Sequence, residues 1–189
     1  MASTGSETRD VFQLKTFFLV SGGSKGLGKC VAERISCRLP SGSVVLLLAR
    51  SVTGLESTKR SIENVNAGRG ITVKLVPTDL CEKDAGDFDQ LLSKSFTEFG
   101  LCPSDFEQAF IVHNAASMGD VSKLYSQHSD KQSLQRYWNL TLTSVTALNW
   151  AFFKHFPEGS VLQRVVVNIS SICGLQPFKS WSLYCAGVN

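Results

Sequence analysis

The chain has 189 residues, of which 43% are hydrophobic and 19% are charged, and its formal net charge is +3. This length and apolar content are typical of one globular domain and exclude disordered, collagen-like and coiled-coil chains. The charge is too small and too scattered to predict nucleic acid or an anionic membrane as a partner.

The first residues are polar and predict a flexible leader over 1–14, ahead of one domain over 15–189. The leader carries Glu7 and Asp10 and lacks the apolar segment of a secretory signal. The longest apolar run, Val44–Ala49, is too short to span a membrane. The six cysteines form no CxxC pair and are expected to be reduced. We therefore expect a cytoplasmic protein without a metal site.

From Lys15 onward, short apolar runs alternate with helical patterns. The apolar runs predict five strands, over 17–20, 44–49, 71–76, 109–112 and 165–169. The spacing of apolar residues predicts helices over 27–39, 55–65, 83–99 and 133–156. Strands that are apolar throughout and separated by helices pair in parallel and are buried on both faces. The pattern predicts an α/β fold, a doubly wound, Rossmann-like parallel sheet with strands 1–5 present.

Three of these helices have a predicted buried face, and that of the helix over 83–99 comprises Phe88, Leu91, Leu92, Phe96 and Phe99. In the first, the four-residue spacing of Leu27, Val31, Ile35 and Leu39 predicts one apolar face, with Pro40 ending the helix. In the long helix over 133–156, the predicted apolar residues are Leu134, Trp138, Val145, Leu148 and Phe152.

A glycine-rich turn lies between the first predicted strand and the first helix. It contains Gly22, Gly23, Ser24, Lys25, Gly26, Leu27 and Gly28. Glycine lets the backbone approach a ligand without a Cβ in the way, and the N-terminus of the following helix favours an anion such as a pyrophosphate. The alternative is a glycine-rich turn that binds nothing. Its place between a strand and an amphipathic helix favours dinucleotide binding.

The second predicted strand ends in a cation. An acidic residue about 20 residues after the glycines is typical of NAD-binding chains, where it binds the ribose hydroxyls. Here Arg50 follows Gly28 by 22 residues and is followed by Ser51. A guanidinium at this position can bind the 2′-phosphate of NADP bidentately, and Lys25 adds a second cation. Each cation alone is typical of a solvated surface, but together with the turn they predict NADP(H) as the cofactor.

Two further motifs follow the third and fourth predicted strands. Asp79 stands between Thr78 and Leu80, and Asn114 stands in the segment 113–116. With the glycine turn, these motifs resemble the short-chain dehydrogenase/reductase family over about 15–187, with alanine at Ala116 where the family has glycine. The resemblance implies that Asp79 reaches the adenine and that Leu80 and Asn114 also belong to the cofactor site.

Three stretches, 119–123, 167–171 and 176–187, are similar to the members of this family that act on pterins. That resemblance implies NADPH-dependent reduction of a pterin side-chain ketone in tetrahydrobiopterin biosynthesis, by a homodimer. It implies that Tyr184 is the general acid and contacts both substrate and cofactor. Ser171 would hold the substrate carbonyl oxygen by a hydrogen bond. Without the family, the alternatives are a turn hydroxyl for Ser171 and an ordinary half-buried tyrosine for Tyr184.

The chain departs from the family pattern at two further positions. The family has a lysine four residues after the tyrosine, one helical turn away, where it stabilises tyrosinate and holds the nicotinamide ribose. Here that position is Val188. The family's helix asparagine matches Thr141, and Asn139, two residues away, points from another face of a helix. These departures predict impaired reduction.

The chain ends at Asn189, where the next helix of the family would begin. We therefore expect a truncated NADP-binding domain whose strand 5 is an unpaired apolar edge that favours aggregation. The homodimer of the family is then not expected to form normally. Two alternatives to a reductase stay open, a non-catalytic NADP-binding fragment or splice product, and an unstable fragment without a function of its own.

Overall fold

The computed structural model describes residues 12–188. Residues 1–11 of the expected leader and residue 189 therefore lie outside the described residues. The last part of the expected leader belongs to the packed domain, because Leu14 is buried and Phe12 packs against the apolar core. The Arg38 guanidinium lies 3.8 Å from the centre of the Phe12 ring.

Five parallel strands form one sheet with the order β3-β2-β1-β4-β5. The strands are β1 Thr16–Ser21, β2 Val44–Ala49, β3 Thr72–Pro77, β4 Gln108–His113 and β5 Gln163–Asn168. Each lies within one or two residues of its predicted position, and β2 matches at both ends. The crossover between β1 and β4 gives the doubly wound topology. The predicted α/β, Rossmann-like sheet is confirmed.

Helices cover both faces of the sheet. They are α1 Gly26–Ser36, α2 Val52–Val65, α3 Ala85–Phe99, α4 Lys131–Trp138, α5 Ser144–His155 and α6 Ser182–Gly187. Successive side chains of a strand point to opposite faces. Phe17 and Leu19 of β1 accordingly pack with α3 and α5, and Phe18 and Val20 pack with α1 and α2. The sheet is therefore buried between two helical layers.

The predicted face of α1 is partly wrong. Leu27 is 55% exposed and Leu39 is fully buried, but α1 ends at Ser36. The residues that α1 buries are Gly28, Ala32 and Ser36. The buried residues keep the predicted four-residue spacing but lie one residue further along the chain, which turns the buried face by about 100° around the helix.

The long helix predicted over 133–156 is present as one helical stretch over 131–155, but its middle is π-helical. A π-helical segment, Asn139–Thr143, separates α4 from α5. The hydroxyl groups of Thr141 and Ser144 donate hydrogen bonds to the carbonyls of Tyr137 and Leu140, four residues back. Such side-chain bonds compete with the helical ladder. Of the predicted apolar residues, Leu148 and Phe152 are buried, whereas Leu134, Trp138 and Val145 are only partly buried.

Strand β5 lies at one edge of the sheet, as predicted, and pairs with β4. Its three valines, Val165 to Val167, are partly buried. Within residues 12–188, no helix is long and apolar enough to cross a membrane. The six cysteines are free thiols, as expected.

Candidate functional site

A cleft of about 1310 Å³ lies at the carboxyl ends of the strands. Its walls come from the residues that follow β1, β2, β3 and β4, together with α4 and its neighbours. In open α/β sheets, the crevice outside the carboxyl ends of the strands is where ligands bind. The predicted cofactor residues that line this cleft are Gly22, Ser24, Lys25, Gly26, Arg50, Ser51, Asp79, Leu80 and Asn114. Among the other predicted site residues, Gly23, Leu27, Gly28, Ser171 and Tyr184 are not part of its lining.

The glycine turn is fixed to the sheet by its own backbone. The N–H groups of Gly22 and Gly23 both donate to the carbonyl of Leu48 in β2, at 2.7 and 3.2 Å. Gly22 and Gly26 have φ angles of +71° and +57°, which favour glycine. A Cβ on Gly26 would meet no atom within 4 Å. The turn thus presents open backbone to the cleft just where α1 begins and its first N–H groups have no helical partner.

Asn114 connects this turn to the end of β4. Its backbone N–H donates to the Ser21 hydroxyl at 3.0 Å, and its side-chain amide donates to the carbonyls of Ser21 and Gly22 at 3.2 and 3.3 Å. A Cβ on Gly28 would overlap the Asn114 amide and the Gly22 carbonyl oxygen. Gly28 and Asn114 therefore shape the cleft by holding α1 close to the turn.

Four charged side chains meet where β2 and β3 end. Arg136 of α4 lies 2.7 Å from Asp79 Oδ2 and also forms an ion pair with Glu82. Arg50 Nη1 lies 3.9 Å from the same oxygen of Asp79, and its side chain is 72% exposed. Burial raises the pKa of Asp79, but hydrogen bonds from Cys81 and the charge of Arg136 outweigh burial and hold this pKa below the ordinary carboxyl value. The Asp79 carboxylate is thus ionised and already paired.

The two predicted catalytic residues are partly buried. The Ser171 hydroxyl accepts a hydrogen bond from the N–H of Cys173 at 3.3 Å. Tyr184 lies in α6, and its ring meets that of Trp181 edge to face at 5.9 Å. Val188 lies just after α6, and its N–H donates to the carbonyl of Tyr184 at 3.1 Å. Leu183, the neighbour of Tyr184, lines the cleft, and Ser171 follows the end of β5.

Tyr137 is a cleft residue that the sequence analysis did not find. It is 6% exposed, and its hydroxyl donates to the carbonyl of Leu183 in α6 at 2.8 Å. Burial, with the nearby Tyr184, raises the pKa of Tyr137 to about 12. Tyr137 therefore stays neutral and acts as a hydrogen-bond donor that holds α6 against α4.

The two candidates for the helix asparagine position both lie in the π-helical segment. The Asn139 amide donates to the carbonyl of Cys81 at 3.1 Å, and its oxygen accepts from Gln135 at 2.8 Å. The Thr141 hydroxyl donates to the carbonyl of Tyr137 at 3.0 Å. Asn139 therefore anchors α4 to the segment after β3, and Thr141 is engaged within its own helix.

Comparisons with known proteins agree with this geometry. The family model described as short chain dehydrogenase matches residues 16–187. This chain belongs to the short-chain dehydrogenase family. The sepiapterin reductase of Bos taurus is 35% identical over 179 residues, which are 92% of this chain and 62% of that protein. The chain thus spans less than two thirds of the length of this relative.

Solved structures of the same fold bind different nicotinamide cofactors. NAD+-bound xylitol dehydrogenase has a TM-score of 0.73 at 17% identity, covering 95% of this chain and 61% of that one. An Escherichia coli CFT073 protein complexed with NADPH also has a TM-score of 0.73, at 23% identity, covering 93% of this chain and 67% of that one. At these identities the structural similarity shows the fold of a short-chain dehydrogenase. It does not show which cofactor this chain binds.

Proposed function

We propose that this chain is the cofactor-binding part of an NADPH-dependent carbonyl reductase that acts on the side-chain ketone of a pterin in tetrahydrobiopterin biosynthesis. The observation that carries the proposal is the cleft, where the glycine turn, Arg50 and Asp79 meet at the carboxyl ends of the strands. The similarity to sepiapterin reductase supports the substrate class. Cytoplasmic location, expected from the polar first residues and the cysteine pattern, stays a prediction. The resemblance implies a homodimer for the family, which is not expected to form normally in this chain.

The residues of the cleft fit a dinucleotide phosphate. Open backbone at Gly26 and the N-terminus of α1 suit the pyrophosphate, because no Cβ intrudes and the helix end is positive. Lys25 immediately precedes α1 and adds a cation. Asp79, Leu80 and Asn114 would border the adenosine and the middle of the cofactor. Gly23, Leu27 and Gly28 would not contact the cofactor but would determine the shape of the turn that does.

A bound nicotinamide supplies hydride to a ketone carbon. The chain's own groups must then stabilise the oxygen, which gains negative charge, and deliver a proton to it. We assign the hydrogen bond to the Ser171 hydroxyl and the proton to the Tyr184 phenol. Val188 offers no cation to either group, so this chain should perform the step slowly.

Cofactor preference tests the proposal directly. NADPH and NADH should be titrated against the 189-residue chain by calorimetry, together with Arg50→Gln. A charged hydrogen-bond pair contributes about 1.5–3 kcal/mol, so we expect the variant to lose roughly 10- to 150-fold in affinity for NADPH and little for NADH. Arg60→Gln, an exposed cation of α2 outside the cleft, is the matched control and should bind like the native chain. Equal affinity for the two cofactors would overturn the preference, and binding of neither would overturn the proposed function.

A further inference from the structure

Two arginines share one carboxylate at the end of the cleft formed by β2 and β3. Arg136 makes the short contact with Asp79, at 2.7 Å, whereas the Arg50 guanidinium stands 3.9 Å away and is largely exposed. The separation of Arg50 from Asp79 is longer than a hydrogen bond. Arg136 therefore donates a hydrogen bond to Asp79, whereas the Arg50 guanidinium makes only this longer ion pair and no hydrogen bond within residues 12–188.

Asp79 cannot easily turn away from the cleft. Its Oδ1 accepts the backbone N–H of Cys81 at 3.0 Å, which fixes the carboxylate at the start of the turn after β3. A fixed and unpaired carboxylate beside Arg50 would attract that guanidinium into a salt bridge. It would also repel any phosphate that Arg50 is meant to bind, because like charges a few ångströms apart interact strongly near a protein surface.

Arg136 is held in place by the packing of its helix. The next residue, Tyr137, is buried and bonded to α6. Asn139 donates to the carbonyl of Cys81, beside Asp79, and Glu82 pairs with the other side of the Arg136 guanidinium. The contact between Arg136 and Asp79 is thus part of the docking of α4 onto the segment Leu80–Glu82.

We propose that Arg136 is a positioning residue for cofactor selectivity: it neutralises Asp79, so that Arg50 remains available to the 2′-phosphate of NADP. The inference rests on the proposed function and adds to it a residue from a distant part of the chain. Arg136 acts through Asp79 and Arg50 and does not need to touch the phosphate.

Two half-cofactors isolate this effect without any turnover. Adenosine 2′,5′-bisphosphate and 5′-AMP share the adenine, the ribose and the 5′-phosphate, so the ratio of their dissociation constants reports the 2′-phosphate alone. We expect the native chain to prefer the bisphosphate. Arg136→Gln should reduce that preference about five- to tenfold. Adding Asp79→Asn to Arg136→Gln should restore it, because the carboxylate that competes for Arg50 is then gone.

Three further variants keep the test independent of folding. Arg136→Lys keeps the charge and should retain most of the preference, and Asp79→Asn alone should not lower it. Lys131→Gln, at the exposed start of the same helix, is the matched control and should leave the ratio unchanged. Calorimetry measures the ratio, and circular dichroism confirms that each variant is folded.

The outcomes separate the two proposals. If the native chain binds neither probe, the proposed function fails and the inference falls with it. If the native chain prefers the bisphosphate and Arg136→Gln keeps that preference, the proposed function stands and the role of Arg136 is overturned. The role is also overturned if the double variant does not recover the preference, or if Asp79→Asn alone lowers it.

Discussion

At the scale of single residues, the geometry of the glycine turn depends on where a side chain cannot fit. A Cβ on Gly28 would overlap the Gly22 carbonyl oxygen and the Asn114 amide, whereas a Cβ on Gly86 in α3 would meet no atom within 4 Å. We expect Gly28→Ala to destabilise the fold by about 2 kcal/mol or more, because backbone would have to move. Gly86→Ala should be neutral or stabilise by up to about 1 kcal/mol. Urea unfolding measures both, and equal effects would contradict this account of the turn.

His113, at the end of β4, is predicted to make stability depend on pH. Burial lowers the pKa of His113, although its hydrogen bond to Asn149 opposes the shift. Above pH 6.5 the histidine is neutral in both states. As the pH falls below 6.5, the unfolded chain takes up a proton that the folded chain refuses, so stability is lost. This loss cannot exceed about 1.4 kcal/mol per pH unit.

Replacing this histidine should remove its share of the pH dependence. Between pH 6.5 and 5, the free energy of unfolding of His113→Gln should fall less steeply than that of the native chain. The comparison uses slopes, so a uniform loss of stability in His113→Gln does not affect it. If the free energies of unfolding of His113→Gln and of the native chain fall with the same slope, the pKa of His113 is the same in the folded and unfolded chain, and the prediction is wrong.

At the scale of elements, strands were more predictable than helices. β2 is apolar at every position and is bounded by a glycine-containing turn and by Arg50, so both of its ends can be predicted from the sequence. The π-helical segment Asn139–Thr143 has no such signal, because the apolar spacing continues through it. Its geometry depends on hydroxyl groups bonding to carbonyls and on the docking of Asn139 to a distant loop. Those contacts appear only when the chain is folded.

The packing of α5 gives a prediction for two neighbouring phenylalanines. Phe152 is fully buried between α5 and the sheet and meets Phe156 at 5.4 Å, whereas Phe153 is 39% exposed. Phe152→Ala should cost about 3–5 kcal/mol of unfolding free energy because it leaves a cavity. Phe153→Ala should cost less than about 1 kcal/mol. Similar losses in urea unfolding would mean that α5 packs with a different face.

At the scale of the whole molecule, the candidate site joins residues from distant parts of the chain. The strand pattern predicted the turn and Arg50, which directly follow β1 and β2, and the family resemblance implied Asp79. The sequence predicted neither Arg136 nor Tyr137, which lie in a helix without a motif and reach the cleft only through tertiary packing. The apolar pattern of the sequence predicts where strands end, and so which residues lie at their ends. It does not predict which residues of a helix pack against those ends. The selectivity proposed for Arg136 therefore depends on the fold.

The missing lysine predicts weak catalysis by the 189-residue chain. Val188 provides no cation beside Tyr184 where the family has lysine, so nothing there lowers the pKa of the phenol. A matched general acid contributes about 10²–10⁴ in rate. We expect NADPH oxidation with sepiapterin, followed by absorbance, to be barely above background.

Restoring the lysine alone should not rescue this reaction. Val188→Lys supplies the cation, but the match covers only 62% of the Bos taurus relative, so we expect this variant to stay nearly inactive. Fusing Val188→Lys to the part of the Bos taurus relative that lies beyond the match should give turnover that Tyr184→Phe abolishes. Thermal melts with and without NADPH distinguish a folded, cofactor-binding chain from an unfolded one. Substantial turnover by the native 189-residue chain, lost in Tyr184→Phe, would contradict the argument, because Tyr184 would then act as the general acid without the lysine.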